Sequence, residues 1–160
     1  MKIFTPEERV QYLAKRNRKL MSSTVIFLDE ADKVLVLETT YEENWEVPGG
    51  GIEENESPLE AARRETKEEL GFDIKDPKFV GVDYRHTQKG KEEMLHFVFF
   101  GGVLDKSKIN QIKLQPEELK AYKFVDLEEV YKICGPNIGP RVGRALGAIR
   151  TSSSIYWDSK

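Results

Sequence analysis

The chain has 160 residues, 33% of them charged, and a formal net charge of −3. That size can bury a full core in what we expect to be a single domain over residues 1–160, and the acidic balance argues against a nucleic-acid binder or a basic membrane-surface protein. Cys134 is the lone cysteine, the opening MKIFTPEER lacks the apolar core of a signal peptide, and no run is apolar enough to span a membrane, so a reducing cytoplasm is the expected compartment.

Thr5-Pro6-Glu7-Glu8 opens an expected helix to about Leu20, with Val10 and Leu13 facing inward. Its Lys15, Arg16, Arg18 and Lys19 read as a solvated face before they read as a surface for phosphate or an acidic partner. Residues 22–29 and 33–39 are β-branched and apolar around a turn at Glu30 to Asp32, the pattern of a hairpin. Trp45 to Val47 is a short strand leading into Pro48 and the glycines 49–51. Residues 78–86 and 93–104 form a longer expected hairpin across a polar turn at Gln88 to Glu92. A strand over 121–125, helices over 126–133 and 139–150, and a short tail over about 151–160 complete the chain. That tail reads as mobile, although Ile155, Tyr156 and Trp157 give it the means to dock on the body or on a partner. Mixed strands with a few helices predict layered α/β packing.

The chemistry concentrates between Gly50 and Phe72. Ser57-Pro58-Leu59-Glu60 is a capping box with proline at the first helical position, and Gly71 is a natural stop after Leu70. Leu59, Ala62, Thr66 and Leu70 make the buried stripe of the helix between them. Glu65, Glu68 and Glu69 then fall within an arc of roughly 100° on the adjoining face. Like charges at that spacing destabilise a helix by roughly 0.2–0.5 kcal/mol per close pair. A hard divalent cation bound by carboxylate oxygens is the simplest physical reason to accept that repulsion. Arg64, four residues before Glu68, can brace it, and Glu56 precedes the cap.

Gly50, Glu56, Arg64, Glu65, Glu68, Glu69 and Gly71 fit the pattern G-x5-E-x7-R-E-U-x-E-E-x-G-U, where U is a bulky aliphatic. This is the Nudix box, and from about residue 22 to 133 the chain resembles the Nudix hydrolases. Thr66 fills the first U with a smaller, polar residue, which bears on helix packing more than on chemistry. The resemblance implies an α/β/α sandwich, a mixed sheet between helices with the box as a loop–helix–loop. It implies hydrolysis of a nucleoside diphosphate linked to another group, by water and with Mg²⁺ or Mn²⁺. By position, Glu65, Glu68 and Glu69 resemble the family's metal-binding and base-providing carboxylates, Glu65 the favoured base, and the Gly49 carbonyl resembles a further metal ligand. Arg64 and Glu56 are the groups that would orient them. Glu118 is the best match for one more carboxylate that family members often supply from a later loop, since it stands six residues before the aromatic Phe124. Glu117 is its near equal, and a simple helix start after Pro116 is the plainer reading of both.

Elsewhere the candidates are weaker. His96 alternates with Met94 and Val98, the pattern of a satisfied core histidine more than of a substrate contact. Arg85 is the candidate phosphate grip, against the plainer reading of an exposed hairpin pair with His86. Tyr84, Trp45 and Phe97 could stack on a base, although aromatics in strands are more often core. Around Thr87 to Gly90 the chain has neither the Pro common in ADP-ribose hydrolases of the family nor the Tyr common in diadenosine polyphosphate hydrolases. The expected substrate is therefore a small nucleotide, a nucleoside triphosphate or nucleotide sugar, with a homodimer as the possible assembly. Two rivals are a nucleotide-sensing module without turnover and an isopentenyl diphosphate isomerase. The second would need a reactive cysteine in the cleft, for which Cys134 in a late helix is poorly placed.

Overall fold

The computed structural model describes residues 4–87 and 92–159. In chain order the elements are α1 (Pro6–Ala14), β1 (Leu20–Asp29), β2 (Val34–Thr39), β3 (Trp45–Glu46), β4 (Gly49–Gly51), α2 (Pro58–Leu70), β5 (Lys78–Arg85), β6 (Met94–Leu104), α3 (Lys106–Ile109), β7 (Leu119–Val125), α4 (Leu127–Ile133), α5 (Ile138–Arg150) and β8 (Ile155–Ser159). Among the described residues the strands form one mixed sheet in the order β3-β2-β1-β6-β5-β8, with β4 also pairing β1 and β7 pairing β2. The β1–β6 and β5–β8 pairs are parallel and the others antiparallel.

Residues Ser23 to Leu28 of β1 are buried without a break, because helices cover both faces of the strand. Val25, Phe27, Leu35 and Leu37 pack with Ala62, Leu70 and Phe72 on the α2 side. Ile26, Val36 and Val98 pack with Val130, Val142 and Leu146 on the side of α4 and α5. This is the expected α/β/α layering. The α2 helix starts on a complete Ser57–Glu60 capping box and ends at Gly71, whose φ is +77°. Thr66 is fully buried on it and donates to the Ala62 carbonyl at 2.7 Å, so its polar group is satisfied within the helix.

Four expectations change. The first helix stops at Ala14 and has no buried residue, and Val10 and Leu13 are exposed. Leu20, placed at the helix end by pattern, instead pairs with Met94 and opens β1, with Met21 beside it on Leu95. Both faces of the sheet are already covered, which leaves α1 no core to close. The first hairpin pairs only near its turn, at Leu28↔Val34, and β4 takes the same edge of β1 further along, at Ser22–Thr24. Glu117 and Glu118 lie in a turn, not a helix start, and their carbonyls accept from the hydroxyl and N–H of Thr40. The tail is a strand, β8, with Trp157 in the core on the α5 side. Gly81 admits it, since a Cβ there would lie 2.1 Å from the Ile155 carbonyl oxygen. The turn at 88–91 lies outside the described residues, and with it most of the Thr87 to Gly90 segment.

Candidate active site

The acidic face of α2 meets the turn of Gly49 to Gly51. Gly49 has φ +141°, and a Cβ on it would sit 2.1 Å from the Ser23 carbonyl oxygen, so only glycine lets this turn press onto β1. Its N–H donates to Glu69 Oε2 at 2.9 Å. A Cβ on Gly50 would lie 2.3 Å from Glu65 Oε1. The glycine run therefore makes room for carboxylates, and for main chain beside them.

Arg64 organises the face. It forms a fork with Glu56 (Nε to Oε1 2.8 Å, Nη2 to Oε2 2.9 Å) and donates through Nη1 to Glu65 at 2.7 Å and Glu68 at 3.1 Å. Its Nη2 also holds the Gly51 carbonyl at 2.9 Å. One guanidinium thus ties the helix, the loop before it and the glycine turn together. Its pKa is raised by its hydrogen bond to Glu56 above all, and that of Glu56 is lowered by the same bond.

Burial and mutual repulsion set the rest of the electrostatics. Glu69 is pushed up to about 9, by burial first, with Glu65, Glu46 and Glu118 adding to it and the Gly49 N–H opposing. Glu65 is also raised, mainly by burial, with Arg64 opposing and Glu68 and Glu118 adding. Glu118, in the turn before β7, adds its charge to the repulsion on Glu65 and Glu69. Glu46, on the cleft wall, was not singled out by pattern, although it stands in a short strand just before Pro48.

Among the described residues no group of three His, Cys, Asp or Glu side chains already converges in a geometry that could hold a metal ion. The donor set nonetheless fits a hard divalent cation, since every candidate atom is oxygen. Arg64 engages Oε1 of Glu65 and Oε2 of Glu68, and Gly49 engages Oε2 of Glu69. Glu65, Glu68 and Glu69 each keep their other oxygen, and Glu118 both of its own, without a protein partner among the described residues. Positive charge there would relieve the repulsion that raises Glu65 and Glu69.

A cleft of about 400 Å³ opens beside this turn, on the α5 side of the sheet, with Gly49, Gly50 and Gly51 on its wall. Ser22, Thr24, His96 and Arg85 line it from the strands, and Asn137 and Arg141 from around the start of α5. His96 departs from the satisfied core residue expected of it. Its Nδ1 bonds Ser22 Oγ at 2.6 Å, but its buried Nε2 has no partner among the described residues. Arg85 departs from the exposed hairpin pair, since it is half-buried on the cleft wall.

The family profile of the NUDIX domain matches residues 18–143. The chain belongs to the Nudix hydrolase family. An RNA pyrophosphohydrolase of Hydrogenovibrio crunogenus is 28% identical over 116 residues, 64% of this chain and 70% of that protein. One of Bartonella henselae is 36% identical over 107 residues, 56% of this chain and 60% of that protein, so the chain spans less than two thirds of this relative. Among solved structures, a UDP-X diphosphatase superposes with a TM-score of 0.69 at 20% identity, covering 98% of this chain and 76% of that one. A MutT protein from Methanosarcina mazei Go1 gives 0.66 at 21% identity, covering 86% and 99%. At such identities the superpositions speak for the fold.

The other Nudix candidates fall outside the acidic cluster. Lys19 pairs with Glu93, whose other oxygen accepts from the Tyr84 hydroxyl, so Tyr84 is engaged. Trp45 packs against the core, with the Lys123 ammonium 4.5 Å from its ring centroid, and Phe97 packs on the α2 side. Cys134 is buried in the core, its thiol pushed up to about 12 chiefly by burial, the opposite of an activated nucleophile. No described helix is long and apolar enough to cross a membrane.

Proposed function

We propose that this Nudix protein hydrolyses a phosphoanhydride of a nucleoside diphosphate linked to another group, with a divalent cation, Mg²⁺ or Mn²⁺, held by Glu65, Glu68, Glu69 and the Gly49 carbonyl. The observation that carries the reading is the oxygen-only cluster clamped by Arg64 against the glycine turn, whose other side forms a wall of the cleft. A cation held there would neutralise charge on the diphosphate and acidify the attacking water. To Glu65, anchored through Oε1, we assign the proton of that water. Arg64 and Glu56 keep the carboxylates oriented. The names of the sequence relatives make RNA a second substrate reading beside the small nucleotide, favoured by the unpartnered polar atoms of Arg85 and His96 on the cleft wall.

Single turnover in ¹⁸O-water should place the label on a phosphate of one product. Activity should vanish in chelator and return with Mg²⁺ or Mn²⁺. Label in a sugar or base, or full activity in chelator, overturns the reading.

To Glu118 we assign a further contact with the cation from across the cluster. Glu118→Gln should raise the Mg²⁺ concentration for half-maximal activity about tenfold, and Glu117→Gln should shift it less. Equal and negligible shifts in a metal titration would return both residues to the solvated surface.

A further inference from the structure

We propose that the end of the cleft farthest from the acidic cluster is an anion subsite, formed by Arg85 and His96, for a phosphoryl ester that the substrate carries beyond its scissile anhydride. The inference rests on the proposed function for what occupies the acidic end.

Strand register gives the distance. Gly51 pairs with Ser22, Ser22 with His96, and His96 with Asp83, so the cleft floor runs across four strands. Two strand spacings put His96 about 10 Å from Gly51, and Arg85 lies a strand further and two residues along. A ligand with its anhydride at the glycine turn reaches Arg85 only with its far end.

The two side chains at that end are unfinished. His96 is 6% exposed, and its Nε2 has no partner among the described residues. Arg85 Nε is buried and equally unpartnered, and among the described residues its guanidinium has one hydrogen bond, Nη2 to Met94 Sδ at 3.9 Å. Its neighbour Arg141 differs, because it donates to Asp83 at 3.0 Å, and the other Asp83 oxygen accepts from Ser159. Asp83 is therefore already committed, and no carboxylate pairs with Arg85 among the described residues. A half-buried guanidinium with orphaned N–H groups gains most from an anionic acceptor. A base carbonyl would satisfy an N–H group but leave the charge uncompensated. Burial, with Arg141 and Arg85 close by, pushes His96 down to about 3. The imidazole is thus neutral and adds a hydrogen-bonding atom, not a second charge. One uncompensated cation beside a neutral ring nitrogen suits a phosphate ester at the 3′ end of a nucleotide unit, whether a terminal monoester or the first phosphodiester of an RNA.

The test has a binding arm and a turnover arm on the full chain. In chelator, adenosine and guanosine 3′,5′-bisphosphates should bind at least about tenfold more tightly than the 5′-monophosphates by titration calorimetry. Arg85→Gln should erase most of that ratio, His96→Asn should reduce it, and Arg85→Lys should retain part, all three checked for folding by thermal unfolding. With Mg²⁺, kcat/KM is compared between a nucleoside triphosphate, its 3′-phosphorylated counterpart and a 5′-triphosphorylated dinucleotide. A preference of about tenfold for either of the last two, collapsing in Arg85→Gln, supports the subsite and says which ester it takes. Ratios near one in the wild type, or a preference that survives Arg85→Gln, overturn it. So does a loss in Arg85→Gln that follows the base and not the second phosphoryl group. If no anhydride is hydrolysed at all, the proposed function fails, while the binding arm still decides the subsite.

Discussion

Glu69→Gln is expected to lower turnover at least about 100-fold at saturating Mg²⁺ while leaving the metal-free protein as stable as the wild type or more so. Glu69 is partly buried, lies near the charges of Glu65, Glu46 and Glu118, and has one backbone N–H for compensation. Glutamine keeps an oxygen for the Gly49 N–H, so the fold loses little, but it removes the charge proposed to hold the cation. The pH dependence follows from the same burial. With a folded pKa near 9 against an ordinary 4.5, the native state holds a proton that the unfolded chain has released. Stability in chelator is then full below about pH 4.5 and is lost as pH rises through about 9. In Glu69→Gln the decline of the thermal midpoint over that window should become shallower, Glu65 accounting for what remains. A variant with near-normal turnover, or with the wild-type pH slope, would remove Glu69 from the assignment.

Arg64 should divide stability from activity. Arg64→Ala strips the partner from Glu56, Glu65 and Glu68 and releases the Gly51 carbonyl. For this partly buried network we expect a loss of about 2 kcal/mol in urea unfolding and a fall of about 10- to 100-fold in kcat/KM. Arg64→Lys keeps the positive charge but not the planar fork, and cannot reach all four partners from one ammonium. It should therefore recover more of the stability than of the activity. Wild-type kcat/KM in Arg64→Lys would mean that the clamp serves the fold and not the reaction.

The residues from Gly50 to Phe72 show how far local rules reach. The Ser57–Glu60 box, Pro58 and Gly71 set the limits of α2, and its 3.6-residue period alone puts Glu65, Glu68 and Glu69 on one face. The Nudix resemblance and the layered α/β class were legible for the same reason, since each depends on spacing within a few residues or on strand and helix periodicity. Pattern stopped at α1, whose apolar positions predicted burial that the covered sheet does not offer. It stopped again at Ile155–Ser159, where parallel pairing with β5 depends on space left by Gly81 and on a path around α5. The partial burial of Glu69, the Asp83–Arg141 pair 58 residues apart, and the unpartnered Nε2 of His96 are likewise set by which strands lie side by side. Sequence by itself determined the helix, its caps and its carboxylate face, because helical hydrogen bonds close within four residues. Only the tertiary structure decided what those carboxylates face and which polar atoms lack a partner, because burial and charge compensation are properties of neighbours brought together from distant parts of the chain.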